Sequence, residues 1–147
     1  MRPFRFGFQL RTDDPVEVRD QARAAEAAGF DVVCSFDHLG EHLSALASLA
    51  VAAACTTRIR LCPLVLNNDF HHPAFLAQEL ASLDRFSGGR VEVGIGAGHS
   101  FTEYAAAGVG FDPPAVRKAR LAESGGAGPR RSARRHHRAH DVRPNPS

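Results

Sequence analysis

Leu83-Asp84-Arg85-Phe86-Ser87-Gly88-Gly89-Arg90-Val91-Glu92-Val93-Gly94-Ile95-Gly96-Ala97-Gly98 decides the architecture. Leu76, Leu80 and Leu83 form an i, i+4, i+7 stripe that stops before Ser87-Gly88-Gly89, and a short apolar run at 91–95 then passes into a glycine turn. Helix, glycine stop, strand and turn make one period of a repeat. Moving outward, runs rich in β-branched, Leu and Phe residues recur at 4–10, 31–36 and 59–66. With 91–95, their starts lie 27, 28 and 32 residues apart. Each is followed by a stretch with helical periodicity, which reads as a βα repeat.

The helix punctuation agrees. Asp14 can cap a first helix that has Pro15 at its first position, Glu17 placed for a capping box and Gly29 as its left-handed stop. Val18, Ala22 and Ala25 fall on one face of it. A second helix over 44–55 is almost wholly Ala, Leu and Val, as expected for one wedged between strands and other helices. A third starts at Pro73, and a fourth begins with Asp112-Pro113-Pro114, carries Val116 and Leu121, and breaks off at Ser124-Gly125-Gly126.

The 147 residues are 44% hydrophobic and 23% charged, which fits about one globular domain. Three cysteines, Cys34, Cys55 and Cys62, are too few and too irregular for a disulfide framework or a zinc clip, so a reducing cytoplasm is the expected setting. The longest uncharged run, 43–57, is too short to cross a bilayer. The start, Met1-Arg2-Pro3-Phe4-Arg5, lacks the apolar core of a signal peptide. No membrane association is expected.

The net charge of +2 hides a split: residues 1–123 carry 12 basic and 15 acidic side chains, whereas 124–147 carry six Arg and one Asp. Val142 is the tail's only sizeable apolar residue, so the tail is expected to be disordered. Its arginines, without an aromatic partner or a recognition helix, imply non-specific stickiness and no specific nucleic-acid binding.

Strands alternating with crossover helices make a parallel sheet whose strand C-termini share one edge, the edge where α/β folds place ligands. Here it displays Gln9, Asp37-His38, Asn67-Asn68-Asp69 and Gly96-Ala97-Gly98-His99. Loops are polar in any case, so polarity alone does not distinguish this edge. His38 at a strand end can exchange protons near neutral pH, though an imidazole can equally serve only to bond a backbone carbonyl. The glycine turn at 94–98 lets backbone N–H groups approach a flat ring or a phosphate. It also fits the nucleotide loop of an S-adenosylmethionine-dependent methyltransferase with Asp112 as the ribose acid, although residues 109–111 are too few for the strand such an enzyme needs. His71-His72 diverge and have no third ligand, so no metal site is expected.

Taken in order, Ala24-Ala25-Glu26-Ala27-Ala28-Gly29-Phe30-Asp31, Ser35-Phe36-Asp37-His38-Leu39, Thr57-Arg58-Ile59-Arg60-Leu61, His72-Pro73 with Leu76-Ala77, Leu83 to Arg90 as quoted above, and Gly94-Ile95-Gly96-Ala97-Gly98 resemble the luciferase-like monooxygenase superfamily. Within it, the resemblance is to the oxidoreductases that use the deazaflavin coenzyme F420. The resemblance covers about residues 4–123. It implies a (β/α)8 TIM barrel that binds F420, or alternatively FMN, at its strand C-termini and transfers a hydride to or from a small organic substrate. His38 would handle the proton beside the ring, with Asp37 fixing its orientation. Leu64, Val65 and Asn67 would form the bulge that supports the ring, often with a non-prolyl cis peptide. Gly96, Ala97, Gly98 and His99 would line its other side. Some F420 enzymes carry an acid where His99 stands, and Cys62-Pro63 replaces the commoner Gly-Thr.

A TIM barrel takes about 250 residues and eight strands, so the expected fold class is α/β, a partial TIM barrel of about four βα units over 1–123 with a disordered basic tail over 124–147. The abrupt change of composition at 124, with 17 Arg against a single Lys in the chain, suggests a frameshift in a GC-rich gene. Exposed parallel edges would favour pairing into a homo-oligomer. The enzyme is expected to be weakly active or inactive, and a non-enzymatic half-barrel is the alternative.

Overall fold

The computed structural model describes residues 4–11, 13–40 and 42–126. The elements run β1 (Gly7–Gln9), α1 (Pro15–Ala27), β2 (Val32–Ser35), α2 (Ala45–Cys55), β3 (Arg60–Pro63), β4 (Leu66–Asn67), a tight helical turn at Asn68–Phe70, α3 (Pro73–Phe86), β5 (Ile95–Gly96), α4 (Phe101–Ala107) and α5 (Pro114–Gly126). Of the tail expected over 124–147, residues 124–126 continue α5, so the helix does not break at Ser124, and 127–147 lie outside the described residues. No helix among those described is long and apolar enough to cross a membrane.

β1, β2 and β3 pair in parallel in sequence order, with Phe8, Val33 and Leu61 in one row. The fourth strand joins β3 through Leu61 N–H to Arg90 O at 3.1 Å and Glu92 N–H to Leu61 O at 2.8 Å. It then crosses to β4, where Leu66 pairs with Ile95. β3 and β4 are thus one strand interrupted at Leu64-Val65, whose peptide bond is cis. The four expected strands are present in the expected order, shortened at their ends, and the third is split by its bulge. This is part of a TIM barrel, with every described strand C-terminus on one edge.

The helices pack on one face of this sheet. Leu10, Val33, Ile59 and Leu61 meet Val18, Ala22 and Ala25 of α1, Leu49, Ala52 and Ala53 of α2, and Leu83 of α3 in a single buried cluster. Each fully buried Leu in such a layer contributes about 2 kcal/mol. Asp14 caps α1 by accepting from Val16 N–H at 2.7 Å, as its position predicts. The expected capping box does not close, because the Glu17 carboxylate accepts from Gln21 Nε2 instead.

Two charged residues knit the layers. The Glu26 carboxylate receives the N–H groups of Thr57, Arg58 and Ile59 at 2.9, 2.6 and 2.9 Å, which anchors the α2–β3 loop to the end of α1. Burial alone would raise its pKa; the three donors outweigh that and hold it below the ordinary carboxylate value. Arg90 is buried and donates to Ala53 O, Thr56 O, Thr56 Oγ1, Ile59 O and Ser87 O, all within 3.1 Å. Ala53 and Thr56 lie at the carbonyl end of α2, where the helix dipole is negative, so the fork of guanidinium donors sits in a matching field. Gly88 and Gly89, at φ 73° and 85°, turn the chain so that Arg90 enters this pocket.

The methyltransferase alternative fails on this topology. After the glycine turn come α4 and then residues 108–113, which contain no strand, and the Asp112 carboxylate pairs with Arg120 at 2.5 Å.

Arg90→Ala should lower unfolding free energy by about 3 kcal/mol, because it orphans several buried carbonyls, and Arg90→Lys should recover only part of that. Urea denaturation followed by circular dichroism measures both; parent-like stability in the alanine variant would contradict the role assigned to the guanidinium.

Candidate functional site

The C-terminal edge of the sheet gathers side chains from four loops. His38 follows β2, and its Nδ1 lies 2.9 Å from Glu103 Oε1 in the first turn of α4. The second Glu103 oxygen accepts Leu39 N–H at 3.4 Å. Burial alone would push the Glu103 carboxyl up, but hydrogen bonds from His38, Leu39 and Ser100 hold it below the ordinary value. With the carboxylate as acceptor, Nδ1 carries the hydrogen of a neutral His38 ring and Nε2 keeps its lone pair. The ring of His99 stands edge-on to that of His38, with centroids 5.7 Å apart. An imidazole and the glycine turn therefore do meet at the rim.

Asp37 does not orient His38. Its Oδ2 accepts Asn67 N–H at 2.9 Å and His71 Nε2 at 2.7 Å, so it ties the end of β2 to the end of β4. Burial alone would raise the Asp37 pKa; the His71 and Asn67 hydrogen bonds reverse that and lower it. The same bond raises His71, against its own burial. Both shifts report one ion pair and agree in sign. His72, the neighbour, points elsewhere and caps α3 by accepting Ala74 N–H.

Beneath the rim, Tyr104 is fully buried, and its hydroxyl lies 3.1 Å from Asn67 Oδ1, 3.0 Å from Asp69 Oδ2 and 3.2 Å from Ala97 O. Arg117, also buried, donates to Ala97 O, Gly98 O and Asp112 O and lies over the Phe111 ring at 4.2 Å. Arg120 bridges Asp69 and Asp112. The Asn67 side chain and the Ala97 carbonyl are thus committed to this scaffold. Gly98, at φ 73°, passes so close to the Tyr104 hydroxyl that a Cβ there would collide with it.

Leu64 and Val65 at the cis bulge are 52% and 44% exposed, an apolar step beside the glycine turn. Gly96 faces it, where a Cβ would lie 2.8 Å from Val65 Cγ2. A separate cavity of about 390 Å³, lined by Asp69, His71, Asp112 and Arg120 among others, includes neither His38 nor the bulge. The site is an open rim.

No local pattern in the sequence marks Glu103, Tyr104, Arg117 or Arg120 as a site residue, and His71 enters there only as a rejected metal ligand. Ser100-Phe101-Thr102-Glu103 does fit the S-x-x-E signature of a helix start, which would have located α4. Its Glu reaches His38 instead of completing the cap.

Comparison with known proteins bears on this rim. The family described as luciferase-like monooxygenase matches residues 3–125. The chain is 36% identical over 98 residues to the 5,10-methylenetetrahydromethanopterin reductase of Methanopyrus kandleri, covering 66% of this chain and 28% of that enzyme. It is 37% identical over 132 residues to the F420-dependent glucose-6-phosphate dehydrogenase of Nakamurella multipartita, covering 83% and 39%. The solved structure of the coenzyme F420-dependent tetrahydromethanopterin reductase from Methanopyrus kandleri superposes with a TM-score of 0.68 and 32% identity, covering 75% of this chain and 31% of that one. The chain spans about a third of the length of these relatives.

The Asp37 share of stability is present above its ordinary value of 3.8 and is lost as pH falls through the lower folded value. The His71 share is complete below 6.5 and is lost as pH rises through the higher folded value. Between those limits the pair is fully ionised. In a proton NMR titration His71 should show a midpoint above 6.5 that falls in Asp37→Asn; a parent midpoint at or below 6.5 would contradict the pairing.

Proposed function

The chain belongs to the luciferase-like monooxygenase family, and on that footing we propose that its rim is the binding site of a deazaflavin of the coenzyme F420 type in an oxidoreductase that acts on a small organic substrate. The observation that carries this reading is the placement of His38, fixed by Glu103, against His99 at the end of the glycine turn, whose Gly96 faces the exposed Leu64-Val65 step. The residues fit a flat ring. Apolar side chains at a sheet edge are costly to leave in water, and a ring laid on Leu64 and Val65 would cover them. Gly96 and Gly98 keep the facing backbone free of side-chain bulk, and His99 flanks the approach. Asn67 and Ala97 contribute by holding the bulge and the turn in place. FMN is the alternative ring; the names of the Nakamurella multipartita dehydrogenase and of the solved Methanopyrus kandleri reductase, both F420-dependent, favour F420.

When bound, the deazaflavin supplies hydride transfer. The protein supplies position and proton handling. Glu103 accepts from Nδ1 of His38 and so leaves Nε2 to hold or receive the proton exchanged with substrate. Asp37, bonded to Asn67 and His71, keeps the loop after β2 at the level of the bulge. The described stretch supplies half of an eight-stranded barrel, so our reading for the chain as it stands is cofactor binding with weak or no turnover. Phe4 and Phe6 are 86% and 67% exposed beside the open edge at β1, which supports self-association through the sheet edges.

Titrating the chain into F420 should quench the deazaflavin fluorescence saturably, with FMN competing poorly, and Gly96→Ala should weaken binding about tenfold or more, or about 1.4 kcal/mol. No quenching by the folded chain would overturn the proposal in favour of a non-enzymatic half-barrel. Sedimentation velocity should give dimers or larger species at micromolar concentration, and a monodisperse monomer would contradict the self-association.

A further inference from the structure

The His38 side chain is tied to Glu103 through one ring atom, Nδ1, at 2.9 Å. The second torsion of a histidine is broad, so one bond leaves the imidazole able to swing about that contact, and the plane of the ring is set by what packs against it. One such neighbour is His99, edge-on at 5.7 Å. Another is Phe36, two residues earlier in the loop after β2, whose ring centroid lies 5.4 Å from that of His38 at an interplanar angle of 51°.

Phe36 is backed in its turn. The ring of His42 stands edge-on to it at 86°, with centroids 4.9 Å apart, and edge-to-face contacts of this kind are favourable beyond the area they bury. His42 is anchored by Asp13 of the loop after β1, whose Oδ1 lies 2.7 Å from His42 Nδ1. With the carboxylate as acceptor, that nitrogen carries the hydrogen. Asp13 is seated on α1 from both sides: Asp14 accepts from Val16 N–H at 2.7 Å, and Arg11 N–H donates to Gln21 Oε1 at 2.8 Å. A row of rings thus crosses the rim in the order His42, Phe36, His38, His99, with a carboxylate on Nδ1 of the first and third members.

Resting on the reading of His38 as the proton-handling group, we propose that His42 is a positioning residue for it. Held by Asp13, His42 wedges Phe36 against the His38 imidazole, which keeps Nδ1 on Glu103 and leaves Nε2 for the exchanged proton. The loop after β1 thereby acts on His38 from the start of α1, through side chains that move no proton themselves. Remove the wedge, and the His38 ring swings off Glu103 and loses its preference for the Nδ1–H form.

The test is a long-range ¹H–¹⁵N correlation spectrum of the imidazoles in the full chain without cofactor, at a pH where His38 is neutral. In the unaltered protein His38 should show the Nδ1–H tautomer, and proton–proton cross-peaks should join the Phe36 ring to both His38 and His42. His42→Ala should raise the Nε2–H share of His38 about threefold or more, Asp13→Ala should raise it less, and His42→Phe, which restores a ring without the Asp13 bond, should return most of the parent signal. Amide shifts of the α1–α2 layer should stay in place in all three. A parent-like tautomer ratio in His42→Ala would overturn the proposal and reduce the Asp13–His42 pair to a tie between two loops. Missing cross-peaks in the unaltered chain would overturn it as well, with no variant required to fold. F420 quenching on the same samples tests the cofactor reading separately: the variants should bind within about twofold of the parent, and absence of quenching in the unaltered chain would overturn that reading while the tautomer response still decides this one.

Discussion

Alternate residues of the fourth strand, Gly94, Gly96 and Gly98, press its backbone onto the bulge of the third. A Cβ at Gly94 would lie 2.9 Å from Pro63 O, one at Gly96 would meet Val65, and one at Gly98 would overlap the Tyr104 hydroxyl. Side chains at these points would force the two strands apart just where β3 breaks and β4 begins. The close approach brings Leu66 N–H within 2.9 Å of Gly94 O and so restores pairing beyond the cis peptide. Everything at the rim follows from that contact: the exposed Leu64-Val65 step, the position of Asn67, and the turn that carries His99 to His38.

The layer below is held by buried charges whose side chains end on backbone carbonyls. Arg90 and Arg117 are both buried, and each is surrounded mainly by carbonyl oxygens, with an aromatic ring added for Arg117. An unpaired buried cation is expensive, and aligned carbonyls offset that cost while fixing geometry. Much of the sequence that marks the family is therefore scaffold. Leu83 to Arg90 shapes a turn and delivers a guanidinium to the end of α2, and Glu26 in Ala24 to Asp31 ties down a loop.

What could be read from the sequence is what short-range pattern encodes. The β/α alternation, the Asp14 cap, the stripe of Val18, Ala22 and Ala25, and the stop at Gly29 all depend on neighbours within a few turns, and the structure contains each of them. The bulge at 64–65 entered only through family resemblance. Helix α4 was missed because seven residues with three alanines and two aromatics leave too short a window for a periodic stripe. The partners at the rim were missed for another reason. His38 and Glu103 are 65 residues apart, and Asp37 and His71 are 34 apart. Such pairings are set by how strands and helices stack, and no local pattern marks them. Adjacency in sequence suggested that Asp37 serves His38; in the fold their side chains turn to different elements.

The central claim is that the bulge and the glycine turn together form the seat of a flat ring. Chemical-shift mapping of the ¹⁵N-labelled chain with added F420 tests it directly. The account predicts shifts concentrated at the amides of Val65, Gly96, Gly98 and His99, with the α1–α2 layer unmoved. Saturable shifts centred elsewhere, for example on the cavity beside His71 and Arg120, with the bulge and turn unchanged, would contradict it.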